Sequence, residues 1–210
     1  MKTVKIPSEG YGSNCWLIIS GNEFAIIDPS PRIEVMLERI QQRELDSKNL
    51  RYVLLTHGHF DHITGADDIR KATGAPLAVH TLDADCLTNP DKNAYKYFFR
   101  EDLVMKSAEI LLSDGDILTV GNENIKVMHT PGHTKGSVCY ITDDSVYSGD
   151  TLFDLGVGRT DLTGGNPAEL EMSLKRLMRL PPELNLYPGH GSLSTMQKQL
   201  DYNPYLKGLI

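Results

Sequence analysis

Short apolar runs broken by Gly, Pro, Asn and Asp dominate the first fifty residues. Residues 14–20 and 24–28 are apolar and β-branched and meet at Gly21–Asn22, which predicts a hairpin. Beyond Asp28 the period changes. Ile33, Met36, Leu37 and Ile40 recur at helical spacing, with Ser30 placed to cap and Pro31 in a first-turn position, so a surface helix of about three turns is expected. Residues 52–56 form a mostly apolar run, as in a strand buried on both faces. A histidine-rich turn follows, then a helix with Ile63, Ala66, Ile69 and Ala72 on one face, ending at Gly74. A short strand over 77–80 completes a βαβ unit.

From 89 to 108 no period holds, and Tyr95, Tyr97, Phe98 and Phe99 crowd together. Strand-like segments follow at 117–120, 125–129, 137–141 and 145–148, separated by Gly, Asp and Asn turns. A helix from Pro167 to about Leu180 carries Leu170, Leu174, Leu177 and Met178, and 184–186 is a last short strand. The chain is therefore α/β: either two packed sheets with helices outside, or one mixed sheet with helices on both faces. Periodicity does not choose between them.

The 210 residues suffice for one domain, 1–210, with a full core. Charge narrows the partners. With 21 basic against 28 acidic residues and no Lys/Arg cluster longer than two, a phosphate-tracking surface is not expected, hence no nucleic acid. No run of 18 apolar residues exists and no apolar stretch follows the first lysines, so neither a membrane partner nor a secretory leader is expected and a cytoplasmic location follows. Cys15, Cys86 and Cys139 are few, odd in number and widely spaced, which fits reduced thiols in a core.

Three of the seven histidines fall inside Thr56-His57-Gly58-His59-Phe60-Asp61-His62. His57 and His59, two apart after a strand, project to the same side while the chain stays extended, and suit one metal ion. Asp61 and His62 stand where the next helix begins, turned toward a second position. The plainer reading makes Asp61 a helix cap and the histidines polar loop residues. Crowded imidazoles repel when protonated, however, and a cation makes the crowding favourable. Four other places set ligand-type side chains at strand ends: Asp28, Gly132-His133-Thr134, Gly149-Asp150-Thr151 and Gly189-His190-Gly191.

The set T-H-G-H-F-D-H, G-H-T, G-D-T-L-F and P-G-H-G, with 71, 17 and 40 residues separating His62, His133, Asp150 and His190, resembles the metallo-β-lactamase superfamily over nearly the whole chain. Gly158-Arg159-Thr160-Asp161-Leu162, Gly164-Gly165-Asn166 and Asn203-Pro204-Tyr205-Leu206 are most similar to its short glyoxalase II-like branch. The resemblance implies a four-layer αββα sandwich of two mixed sheets. It implies two divalent metal ions, Zn first and Fe or Mn as alternatives, one held by His57, His59 and His133, the other by Asp61, His62 and His190, with Asp150 bridging. It also implies that Asp28 orients a ligand histidine, and that His80 and His129 are not ligands.

The activity implied is hydrolysis of a small-molecule S-acyl thioester, as by hydroxyacylglutathione hydrolases, with Asp61 and Asp150 catalytic. Two divalent cations outweigh Asp61, Asp150 and a shared hydroxide by one positive charge, and metal coordination lowers the pKa of water to about 7, so no side-chain nucleophile is needed. Only 20 residues follow His190, so no carboxy-terminal helical glutathione-binding domain is expected. Where that family has a Lys and a Tyr against glutathione, this chain has Arg159 and Asp161. Arg159 either grips a substrate carboxylate or pairs with Asp161. Two other readings remain: a persulfide dioxygenase with one iron on His57, His133 and Asp150, and a non-catalytic metal-stabilised binding module.

Overall fold

The computed structural model describes residues 1–10 and 12–209. The first half runs β1 (Lys2–Ile6), β2 (Cys15–Ser20), β3 (Glu23–Ile27), α1 (Ile33–Gln41), β4 (Leu50–Leu54), α2 (Phe60–Ile63), α3 (Ala66–Thr73), β5 (Leu77–His80), α4 (Ala84–Thr88), α5 (Tyr95–Phe99) and β6 (Ile110–Leu112). The second runs β7 (Ile117–Val120), β8 (Glu123–His129), β9 (Val138–Ile141), β10 (Ser145–Gly149), β11 (Leu152–Phe153), β12 (Gly156–Val157), α6 (Pro167–Leu177), β13 (Asn185–Pro188), β14 (Ser194–Thr195), α7 (Met196–Tyr202) and α8 (Pro204–Lys207).

These strands make two six-stranded sheets, ordered β1-β2-β3-β4-β5-β6 and β14-β13-β10-β9-β8-β7, and β11-β12 form a small ribbon. In the first sheet β1 to β3 are antiparallel and β3 to β6 parallel, because helices return the chain between the later strands. In the second, β7 to β10 form an antiparallel meander, and α6 carries the chain over to β13, parallel to β10.

Three apolar layers settle the architecture that periodicity left open. One lies under α1 and α3 and includes Met36, Ile40, Ile63, Ile69, Phe24 and Ile26. A middle layer joins the sheets through Trp16, Ile18, Ile27, Leu54, Val127, Tyr140 and Tyr147. A third lies under α6 to α8, with Leu170, Leu174, Leu177, Leu186, Met196 and Leu206. Alternate residues of β2 and β3 serve the first two layers, which is why both strands are apolar throughout. The molecule is an α/β, four-layer αββα sandwich of two mixed β-sheets with outer helices, the metallo-β-lactamase fold. No helix among the described residues is long and apolar enough to cross a membrane.

Several boundaries differ from the sequence expectation. Ser30 does not cap α1: Pro31 holds the preceding residue extended, the helix begins after Arg32, and the Ser30 hydroxyl donates to Ser13 O at 2.9 Å instead. The helix expected through residue 74 is split, since Gly65 passes against the carbonyls of Pro29 and Pro31, where a Cβ would come within 2.6 Å. Its end is as expected, Gly74 adopting φ +76°. β1 and β6, for which no element was expected, edge the first sheet. The helix expected to reach Leu180 stops at Leu177.

Candidate metal centre

All seven ligand-type side chains reach one place, because each follows the carboxyl end of a strand on the same rim of the sandwich. The loop after β4 carries His57, His59, Asp61 and His62; His133 follows β8, Asp150 follows β10 and His190 follows β13. Their ligand atoms fall into three groups, each within 4.8 Å: His57, His59 and His133; His57, His62 and Asp150; Asp61, His62 and His190. Asp150 lies between the outer two, with Oδ1 3.3 Å from His62 Nε2 and Oδ2 3.6 Å from both His133 Nε2 and His190 Nε2. His190 Nε2 is 3.0 Å from Asp61 Oδ2.

The far side of several rings is already engaged, which fixes the atom each presents inward. Asp28, 1% exposed, accepts His62 Nδ1–H on Oδ2 at 2.9 Å, and from the backbone N–H and hydroxyl of Thr56 at 2.8 Å each. It does so at φ +53°, a left-handed conformation that a side chain rarely adopts and that costs about 1–3 kcal/mol, which suits a residue held by its surroundings for a purpose. His57 Nδ1 lies 3.2 Å from Thr56 Oγ1, and His133 Nδ1 donates to Arg159 O at 2.7 Å. The inward atoms His57 Nε2, His62 Nε2 and Asp150 Oδ1 are buried with no hydrogen-bond partner. Buried polar groups are seldom left so, and two imidazole nitrogens and a carboxylate oxygen converging on one place suit a divalent cation. The residues therefore fit a two-metal site.

Protonation follows the same geometry. Burial, and then the charges of the other rings, hold His57 well below the ordinary imidazole range and bring His59 down to about 3, so both are neutral and ready to ligate. Burial alone would lower His62, but Asp28, Asp150 and Asp61 outweigh it and raise its pKa well above that range. Burial works to raise Asp61 and Asp150 as well; His62 and the other imidazoles prevail and hold both carboxylates ionised.

The site opens into a cavity of about 540 Å³ lined by Phe60, Ala94, Phe98, Phe153, Val157 and Leu162, with Arg159 at its edge. Tyr95 and Phe99 pack on Phe60 at 5.5 and 5.6 Å between ring centroids, so the aromatic group both packs and walls the cavity. Tyr97 points away, its hydroxyl 3.1 Å from Thr163 Oγ1. Arg159 makes a two-pronged pair with Asp161, at 2.6 and 2.7 Å. His80 and His129 lie outside the groups, stacked on each other at 4.0 Å. All three cysteines are free and buried.

Four supporting residues were given no individual role by the sequence. Thr56 joins Asp28 to His57. Asp83 and Asn14 bond the ligand loops from outside, as described below. Gly189 has no room for a side chain, since a Cβ there would stand 2.2 Å from Asp150 Oδ1. Thr56 and Gly189 adjoin recognisable ligands and were open to suspicion on that ground; nothing in composition or spacing marks Asp83 or Asn14.

The family model of the metallo-beta-lactamase superfamily matches residues 9–190. The chain is 32% identical to the probable metallo-hydrolase YqgX of Bacillus subtilis, over 99% of each chain. It is 30% identical to the hydroxyacylglutathione hydrolase GloC of Haemophilus influenzae, over 96% of each. Among solved structures, the BLEG-1 B3 metallo-beta-lactamase superposes with a TM-score of 0.92 at 32% identity, covering 99% of this chain and 100% of that one. TTHA1623 in a di-iron-bound form superposes at 0.82 with 32% identity, covering 98% and 100%. Enzymes of this superfamily are metal-dependent hydrolases, and by sequence profile, sheet order and ligand-type cluster alike this chain belongs to the metallo-beta-lactamase superfamily.

Proposed function

We propose that the protein is a two-metal hydrolase of small S-acyl thioesters, of the hydroxyacylglutathione hydrolase type. The observation that carries the reading is Asp150, whose Oδ2 lies 3.6 Å from both His133 Nε2 and His190 Nε2, one ring from each position, while its Oδ1 lies 3.3 Å from His62 Nε2, so that one carboxylate stands between the two positions. His57, His59 and His133 would hold one divalent ion and Asp61, His62 and His190 the other, with Zn favoured and Fe or Mn accepted by the same donors. Bound there, the metals supply Lewis-acid polarisation of the acyl carbonyl and a water ionisable near pH 7.

The chain's own groups do the rest. Asp28 and Arg159 O hold the Nδ1 protons of His62 and His133, so that each ring turns its Nε2 inward. Asp61, ionised and lining the cavity floor, accepts a proton from the attacking water. Phe60 and Phe98 exclude bulk water from one side of the thioester, which strengthens the electrostatics within. Arg159 binds Asp161 through Nε and Nη2, which leaves its Nη1 donors for a substrate carboxylate. The relative named GloC supports a glutathione thioester and the neighbour named a B3 metallo-beta-lactamase supports a β-lactam comparison.

The test is metal stoichiometry on the purified chain, followed by turnover of S-lactoylglutathione, other acyl thioesters and a β-lactam. Two metals per chain with thioester cleavage is expected, and Asp150→Asn should lower turnover and metal content together, turnover by at least about 100-fold, beyond the loss typical of outer residues. One iron per chain with oxygen uptake on a persulfide would replace this reading with the dioxygenase one. Metal-replete protein inert toward every substrate would replace it with a binding module.

A further inference from the structure

Each metal position draws ligands from both sheets, so the two halves must be fixed against each other close to the ligands themselves. His57 and His59 come from the loop after β4, and His133 from the loop between β8 and β9. Asp83, 1% exposed, sits between these loops. Its Oδ2 accepts from Gly58 N–H at 2.9 Å and the Thr134 hydroxyl at 2.7 Å, and its Oδ1 accepts from Gly136 N–H at 2.7 Å. Gly58 stands between His57 and His59, and Thr134 directly follows His133. Both glycines are needed for the approach: a Cβ on Gly136 would be 2.5 Å from Asp83 N, and one on Gly58 2.3 Å from Cys86 Cβ.

At the other position the adjacent residues Ser13 and Asn14 together span the loops. Asn14, 7% exposed, donates its backbone N–H to Gly189 O at 2.6 Å and its side-chain amide to Pro188 O and Gly191 O at 3.0 and 3.1 Å, on both sides of His190. Its neighbour Ser13 donates N–H to Asp61 O at 3.0 Å. Neither Asp83 nor Asn14 lines the cavity, and neither belongs to a ligand group.

We propose that Asp83 and Asn14 are separate positioning residues, each helping to set the gap between the two loops that build one metal position: Asp83 directly for His57, His59 and His133, and Asn14, by holding the His190 loop to the segment whose Ser13 binds the Asp61 loop, for Asp61, His62 and His190. The inference rests on the two-metal reading, since it needs two separable positions. Asp83→Asn keeps the shape but turns an N–H donor toward groups that themselves donate. Asn14→Ala removes both side-chain bonds and leaves the backbone bond to Gly189 in place. Loss of such outer partners typically weakens metal binding by about 10–100-fold.

The experiment titrates the chelator-stripped, full-length chain with Zn²⁺ in competition with a chromophoric chelator, resolving two binding steps. His59→Ala and His190→Ala identify them, each abolishing one. Asp83→Asn should weaken the His59 step by about 10–100-fold and leave the His190 step within about threefold, and Asn14→Ala should do the reverse. Thr134→Val, which removes one donor from Asp83 together with the hydroxyl contact to Ser137 Oγ at 2.7 Å, should weaken the His59 step by a smaller factor; it carries the test if Asp83→Asn does not fold. Both substitutions weakening the same step, both steps falling in equal proportion, or no change would overturn the proposal. A wild-type chain that takes up one ion alone would instead overturn the two-metal reading.

Discussion

At the scale of single residues, a turn that collects three imidazoles beside aspartates has few physical justifications other than a cation, which is why the side chains that cluster in the structure were picked out from the sequence. Asp83 and Asn14 were not, since a lone carboxylate or amide becomes a brace only through what folds around it. His80 and His129 were set apart from the ligand set by the resemblance, not by residue type, and their contacts make them a stacked pair at 4.0 Å. Burial, and then the adjacent His129, lower His80 to about 4. Its folded pKa is thus below its unfolded value of about 6.5, so the unfolded chain takes up the proton first. The stability His80 contributes is full above that value and is lost as pH falls from about 6.5 toward 4. Denaturant titrations of metal-free wild type and His80→Gln should show a smaller loss between pH 7 and 5 in the variant, the ligand histidines titrating alike in both. Parallel losses would show that His80 carries no such linkage.

At the scale of elements, the longer periodic segments were legible and their ends were not, because ends are set by neighbours; β1, β6, the short β11, β12 and β14, and the short helices α4, α5, α7 and α8 had no expected counterpart. Gly65 breaks the helix after Ile63 through its contact with the Pro29 and Pro31 carbonyls, and Pro31 moves the start of α1 past Ser30. The unread edges of the first sheet have local explanations: β1 buries only Val4 and Ile6 and β6 only Leu112, too few positions for a period to show. α6 is the element whose start reaches the metal centre. Asn166 caps it, its Oδ1 accepting from Ala168 and Glu169 N–H at 3.0 and 3.3 Å, while its own N–H donates to Gly132 O at 2.8 Å, next to His133. Asn166→Ala should cost about 1 kcal/mol of folding stability, measured by denaturant unfolding, with the backbone tie to Gly132 retained. Turnover should therefore be little changed at temperatures well below the midpoint. A variant that unfolds normally but loses turnover would mean the cap side chain, not the backbone, holds the His133 loop.

At the scale of the whole molecule, pairing was the illegible step: the same strands and helices serve one mixed sheet or two, and only contacts far apart in sequence decide. The resemblance supplied that decision, and the three apolar layers display it. The two-sheet arrangement has an energetic consequence. The first sheet supplies His57, His59, Asp61 and His62, and the second His133, Asp150 and His190, so bound metal links the sheets across their rim. Protein ties at that rim are few and specific, among them Val138 N–H to Thr56 O at 2.8 Å and the Tyr140 hydroxyl to Leu55 O at 2.7 Å. Metal present at 100 times its dissociation constant stabilises the folded state by about 2.7 kcal/mol, which for a chain of this size corresponds to a melting shift of about 5–11 °C. Chelation should lower the midpoint by that order. It should also act locally: hydrogen exchange at Val138 and Asn14, whose N–H groups cross between the sheets, should accelerate more than at Ile18 or Ile26, paired within β2 and β3. Equal acceleration at both sets would show that the metals stabilise each sheet rather than the joint between them.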